Sequence, residues 1–196
     1  TRLDLADVRQ IEQIIAQRET RLTILDNDDQ AVTVQKPVRR IIPDHLTCLN
    51  AIRILNAENR IVGIDTAVKK HMGKLFLKDL DALPLIGNFS SPDYEAVLSL
   101  NPDVYLSYRS FYGPGGKEAL QEKLPGVTVI ETGYYTPYNP ENLTMDMRLL
   151  GYILDERDRA ETYISWYNGY LDMIRKRVAD LPGEKCPKVY PAPGWD

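Results

Sequence analysis

The stretch that most constrains this chain runs from Pro84 to Leu106, PLIGNFSSPDYEAVLSLNPDVYL, and reads as a tight turn, a short helix and a buried strand. Gly87 can adopt backbone angles closed to other residues, which suits a tight turn. Ser90-Ser91-Pro92-Asp93 supplies helix-capping chemistry, with Pro92 expected in the first turn, where its missing N–H costs little. Tyr94, Val97 and Leu98 recur at i, i+3 and i+4, the spacing of one apolar helix face, and the helix is expected to end near Leu100. Asn101-Pro102-Asp103 stops it, and Val104-Tyr105-Leu106 begins an apolar strand. The polar, aromatic and glycine-rich run Ser107 to Gly116 follows. In a parallel α/β sheet, a loop just past the carboxyl end of a strand is where ligands bind.

Other strands and helices fall around this unit. Arg21 to Val34 alternates apolar residues about Asp26-Asn27-Asp28-Asp29, a β-hairpin with an acidic turn expected to be solvated. Pro37 to Ile42 enters the first parallel strand, Pro43 to Thr47 forms a strand-to-helix loop, and Cys48 to Asn56 continues as helix. Arg60 to Asp65 reads as a second strand and the β-branched run Gly126 to Glu131 as another. Asn139 to Leu154 is helical, and Asp155 opens a long helix from about Glu156 to Asp180 whose Tyr163, Trp166, Tyr167, Tyr170, Leu171 and Ile174 form a broad apolar face. Upstream, Asp4 to Gln17 is amphipathic, with Leu5, Val8, Ile11, Ile14 and Ile15 on one stripe and Asp4 and Asp7 as capping acids.

Composition excludes several classes. The 196 residues are 43% hydrophobic and 27% charged, enough apolar content for a real core. A net charge of −4 carries no nucleic-acid footprint, and no apolar run approaches the ~20 residues of a membrane span. The chain starts at Thr1 without Met, as expected of a processed product. Cys48 and Cys186 form no CxxC pattern and read as buried thiols, with a disulfide left open. Gly113-Pro114-Gly115-Gly116-Lys117 is not a phosphate loop, because Glu118 stands where Ser or Thr is needed. There is no GxGxxG, GxSxG or HExxH, and the two histidines, His45 and His71, make a zinc hydrolase improbable.

The run Gly87-x-Phe89-Ser90-x-Pro92-x-x-Glu95-x-x-x-x-Leu100-x-Pro102-Asp103 resembles the signature of class III (cluster A) substrate-binding proteins of ABC importers for iron–siderophores, cobalamin and haem. Leu22 to Ile42 is similar to that family's opening hairpin and first strand, and Ala51 to Asp65 to its first helix and second strand. The resemblance runs from about Arg21 to Trp195. It implies a Rossmann-like, chelatase-like α/β lobe with a parallel sheet of about four strands flanked by helices, an N-terminal hairpin and a long C-terminal spine helix. The expected division is 1–20 as an amphipathic helix, 21–154 as the lobe, 155–182 as the spine and 183–196 as a stub of a second lobe. The first segment also resembles the second half of a dockerin loop, but lacks the oxygen donors a calcium site needs.

Capture of a metal chelate outside the cell and delivery to an ABC permease follows from the resemblance, with no bond made or broken and no cofactor. Iron(III)–siderophore is the first expected ligand, cobalamin and haem the next, and the location is periplasmic or cell-surface with a lipid or membrane anchor. In the resembled family the loop after the first strand borders the ligand, which makes Asp44 and His45 candidates, and the aromatic-rich loops add Tyr108, Phe111, Tyr112, Tyr134 and Tyr135, whose large faces suit a planar or amphipathic ligand. Phe89 falls where the family places an aromatic against its ligand, and Arg109 is suited to ligand carboxylates. Glu95 occupies the motif position that pairs with permease arginines. Lys69, Lys70, His71, Lys74 and Lys78 could face an anionic ligand or only water. The rivals are an α/β hydrolase or transferase using the Tyr108–Gly116 loop, and a cell-surface interaction module.

Overall fold

The computed structural model describes residues 5–27, 29–70, 82–108, 116–132 and 140–182. Its centre is a parallel sheet of β3 (Ile41–Pro43), β6 (Val104–Ser107) and β7 (Thr128–Glu131), in the spatial order β3-β6-β7. Register pairs Ile42 with Tyr105 and Tyr105 with Val129. Beyond β3, among the described residues, the sheet continues as single parallel bridges, Ile41 to Ile61 and Ile64 to Leu85. The expected second strand is thus reduced: after Val62 N–H donates to the Ile41 carbonyl, the chain turns outward to exchange bonds with Pro84 and Ile86.

Side-chain alternation along the strands sorts the core into two layers. Ile41, Val104, Leu106 and Ile130 point to one face, where they pack with α2 (Leu46–Ile54), α5 (Pro140–Ile153), the start of α6 (Arg157–Val178) and the hairpin β1 (Arg21–Leu25) and β2 (Ala31–Gln35). Ile42, Tyr105 and Val129 point to the other, against α3 (Tyr94–Ser99) and α4 (Gly116–Lys123). Helices on both faces of parallel strands give the expected α/β architecture.

The Pro84–Leu106 unit forms as read, with one shift. Gly87 has φ +83°, and a Cβ there would lie 2.7 Å from the backbone nitrogen of Asp93, so the turn admits no side chain. It lies in the two-residue strand β4 (Gly87–Asn88), which pairs with β5 (Ser91–Pro92). Pro92 therefore precedes the helix instead of entering it, and Asp93 is the N-cap, its carboxylate accepting from Ala96 N–H at 3.0 Å. Asp103 explains the motif's end: one carboxylate oxygen accepts the backbone N–H of Arg39 at 2.7 Å and of Arg40 at 2.9 Å, tying the entrances of β3 and β6 together.

The acidic hairpin turn is solvated only in part: Asp29 is exposed, but Asp26 is not. Asp26 is 4% exposed and accepts from Gln30 N–H at 3.0 Å, from Glu131 N–H at 3.3 Å and from the Lys117 ammonium. The ion pair joins the hairpin to α4. A second charged cluster fixes the long helix: the buried Glu19 carboxylate meets Arg157 and lies 3.7 Å from Lys36 Nζ, which also binds Asp155 and the Tyr152 carbonyl. Asp155 adopts φ +57° and serves this cluster instead of capping α6, which begins after Glu156. From there α6 leaves the core. Ala160 and Ile164 are buried, whereas Trp166, Tyr170 and Ile174 are each more than half exposed. The helix α1 (Leu5–Ile15) likewise turns Leu5, Val8, Ile11 and Ile15 to the exterior and packs on the core through Ile14.

Lys117 sits close to full burial, so Lys117→Met strands the Asp26 charge and is expected to cost about 3–5 kcal/mol in urea unfolding. Combining it with Asp26→Asn is expected to restore part of that loss.

Candidate functional site

The carboxyl ends of the parallel segments deliver an aromatic cluster. His45 follows β3, Phe89 lies in the β4–β5 turn and Tyr108 follows β6. The His45 ring stacks on Tyr108 with centroids 4.3 Å apart and planes 12° from parallel, and meets Phe89 edge-on at 5.8 Å and 78°. Three residues named from separate parts of the sequence thus share one contact.

Two buried aspartates hold these rings by their backbones. Asp44, fully buried at the end of β3, accepts the Tyr108 N–H at 3.0 Å through Oδ1. Asp65, also fully buried, accepts the Phe89 N–H through Oδ2 while Oδ1 takes Val68 N–H at 3.0 Å and Ala67 N–H. A carboxylate that accepts several backbone N–H groups is strongly oriented. Asp44 was expected at the ligand, and the structure gives it a positioning contact. Asp65 was not singled out; its only sequence signal was a polar residue ending an apolar run. Thr66 Oγ1 adds a bond to the Gly87 carbonyl at 2.9 Å, fixing the turn beneath Phe89.

His45 is the N-cap of α2. Its Nδ1 accepts the Thr47 backbone N–H at 3.2 Å and lies 2.9 Å from Thr47 Oγ1. Burial among the rings lowers its pKa below the ordinary value, partly opposed by the negative charge of Asp65. Cys48, one turn into α2, is a buried thiol 3.2 Å from Thr132 Oγ1. Burial first, then the nearby Asp44, pushes its pKa well up, which keeps it a neutral thiol with little nucleophilic character.

Glu95 lies in the first turn of α3, exposed and without an ion pair among the described residues. Arg109, Phe111, Tyr112, Tyr134 and Tyr135 lie outside the described residues, as do His71, Lys74, Lys78 and Cys186. Among the described residues no group of His, Cys, Asp and Glu is arranged to hold a metal ion. Two cavities lie away from the rings. One of about 610 Å³ runs between α2 and α5, lined by Cys48, Ala51, Ile54, Met147 and Leu150, and one of about 720 Å³ lies between β2 and α4. Neither includes His45, Phe89 or Tyr108; of these three rings Tyr108 is buried, while His45 and Phe89 are half-buried.

The cap makes stability pH-dependent with a defined sign. Since the folded pKa of His45 is depressed, the unfolded chain takes up a proton that the folded chain refuses in the window just below pH 6.5. The stabilisation is complete above that pH and falls as pH drops toward the folded pKa. His45→Asn keeps a capping oxygen but does not titrate, so urea unfolding between pH 5 and 8 is expected to lose this slope in the variant.

Comparison with known proteins agrees with the fold. Residues 46–194 match the periplasmic binding protein family. The molybdate-binding protein MolA of Haemophilus influenzae is 22% identical over 188 residues, covering 86% of this chain and 53% of that protein. Its molybdate-bound structure superposes with a TM-score of 0.73 at 20% identity, covering 84% of this chain and 56% of that one. The petrobactin-binding protein YclQ of Bacillus subtilis gives 0.67 at 18% identity, with 83% and 55% covered, and the haem-binding protein HmuT gives 0.60 at 19% identity, with 85% and 51% covered. The chain therefore spans about half the length of the relatives it matches, and likenesses at these identities speak for the fold alone. The family match covers most of the sequence, from the first turn of α2 to residue 194, and on it the chain belongs to the periplasmic binding protein family.

Proposed function

We propose that this chain is the N-terminal lobe and spine helix of an extracytoplasmic substrate-binding component of an ABC importer. It captures a small anionic, oxygen-rich metal species, of which an iron(III)–siderophore is the leading case, and presents it to a permease. The observation that carries the reading is the His45–Phe89–Tyr108 cluster at the carboxyl ends of the parallel segments in a chain of this family. Half-buried His45 and Phe89 rings, packed with the buried Tyr108 at one end of the sheet, suit a ligand held between two lobes, of which 21–154 is one. The relatives named for molybdate, petrobactin and haem support the general class and divide over the ligand. None of them is named for a corrinoid.

Glu95 is assigned to the permease. An exposed carboxylate beside a helix N-terminus, with no internal partner among the described residues, is free to meet a basic surface. Such pairs orient encounter more than they add affinity.

Tyrosine and tryptophan quenching tests the capture reading. Titration with ferric siderophores, molybdate, haemin and cobalamin is expected to give saturable binding to one class, weakened about tenfold or more by Phe89→Ala or Tyr108→Ala. Unchanged affinity in both variants would remove these rings from the site. Glu95→Lys is expected to leave ligand affinity intact while lowering uptake in a transport assay, most strongly at low salt; unchanged uptake would count against docking through this residue.

A further inference from the structure

The cap on α2 decides which atom of His45 meets the ligand. A backbone N–H is always a donor, and that of Thr47 is aimed at His45 Nδ1. Nδ1 must therefore hold a lone pair, and a neutral imidazole carries its single proton on the other nitrogen. Thr47 Oγ1, 2.9 Å from the same atom, can donate its hydroxyl proton there too, adding to the cost of placing a proton on Nδ1. In the imidazole ring Nε2 points away from Nδ1, hence away from the helix backbone. No described residue forms a hydrogen bond with it. The ring cannot turn over cheaply, because it is stacked on Tyr108 and edged by Phe89, whose backbones are pinned by Asp44 and Asp65.

We propose that His45 is a tautomer-locked Nε2–H donor, so that the ligand offers it an anionic oxygen and not a metal centre with an open coordination position. The assignment rests on the capture reading above and sharpens it. An imidazole ligates a metal through a lone pair, and here the available lone pair is committed to the helix. A ferric catecholate or carboxylate chelate, or a tetrahedral oxyanion, presents oxygen at its rim and can accept the Nε2–H. Haem taken through axial ligation by this ring would require moving the proton to Nδ1 and losing the cap.

The test labels the full chain with ¹⁵N-histidine and records long-range ¹H–¹⁵N correlations, with His71→Gln separating the two histidines. The free chain is expected to show an acceptor-type Nδ1 and a protonated Nε2. Addition of molybdate or of a gallium(III) catecholate, a diamagnetic stand-in for the ferric chelate, is expected to shift the Nε2–H signal and slow its exchange with water. His45→Asn, which preserves the cap, is expected to bind the responsive probe about tenfold or more weakly, as for loss of one hydrogen bond to a charged group. A proton on Nδ1 in the free chain overturns the proposal and leaves the capture reading standing. So does a haemin complex whose visible spectrum shows nitrogen-ligated iron in the parent chain and not in His45→Asn. The expected tautomer with no response of His45, Phe89 or Tyr108 to any probe sinks the capture reading and this proposal with it.

Discussion

The candidate face depends on carboxylates that are spent on the backbone. Asp65 takes three N–H groups, two from the helical turn that follows it and one from Phe89; Asp44 takes that of Tyr108. Burying such groups is unfavourable unless every charge is well solvated by the protein. Amide donors provide that solvation, and in doing so they fix where the neighbouring loops can run. The three rings, buried at Tyr108 and half-buried at His45 and Phe89, are consequently placed by main-chain bonds. His45 then needs no partner of its own to be oriented, since its two neighbours and the α2 amide confine it.

Charge also governs how the long helix leaves the lobe. Only Ala160 and Ile164 of α6 are buried, too little apolar area to set its direction. The Glu19, Lys36, Asp155 and Arg157 cluster does so instead, joining the segment that leads into β1, the residue after β2, the α5–α6 turn and the start of α6. The Arg157 guanidinium also lies 4.5 Å from the Tyr152 ring centre. Buried ion pairs contribute little net stability over an apolar substitute, yet breaking one member is costly. Their use here is directional: alternatives that rotate the helix leave a buried charge without its partner.

The fold was legible in the sequence to the extent that single segments carry their own pattern. The hairpin, β6, β7, α5 and α6 follow from apolar periodicity and turn chemistry, and the parallel topology then brings His45, Phe89 and Tyr108 to one end without any knowledge of contacts. What stayed hidden depends on direction and distance. A carboxylate after a strand reads the same whether it faces a ligand or a neighbouring amide, so neither the Asp44 bond to Tyr108 N–H nor the Asp65 bonds have a signal in the sequence. Asp26 and Lys117 are 91 residues apart, and no local signal marks the one aspartate of an acidic turn that a helix so distant in sequence will bury. Within the expected capping segment Ser90 to Asp93 the cap is Asp93, and Pro92 stays outside the first turn because it lies in β5, paired with Gly87 of β4. Exposure of the α1 stripe was equally out of reach: periodicity identifies an apolar face but not what covers it.

These features bear on how such a lobe can work. A face whose rings are set by buried carboxylates gains affinity by avoiding the ordering cost that a loose aromatic surface would incur on binding. On the proposed two-lobe reading, a helix anchored by a charge cluster at one end would favour small movements over wide hinge closure. Selectivity must then come from complementarity already present in the unbound lobe. With Nδ1 committed to α2 and Asp44 and Asp65 turned inward, the described part of that face offers an N–H donor and aromatic surface, and its carboxylates are withheld. On the proposed reading, that combination would favour ligands that carry their metal already wrapped in anionic oxygen over bare cations, which seek carboxylate oxygens.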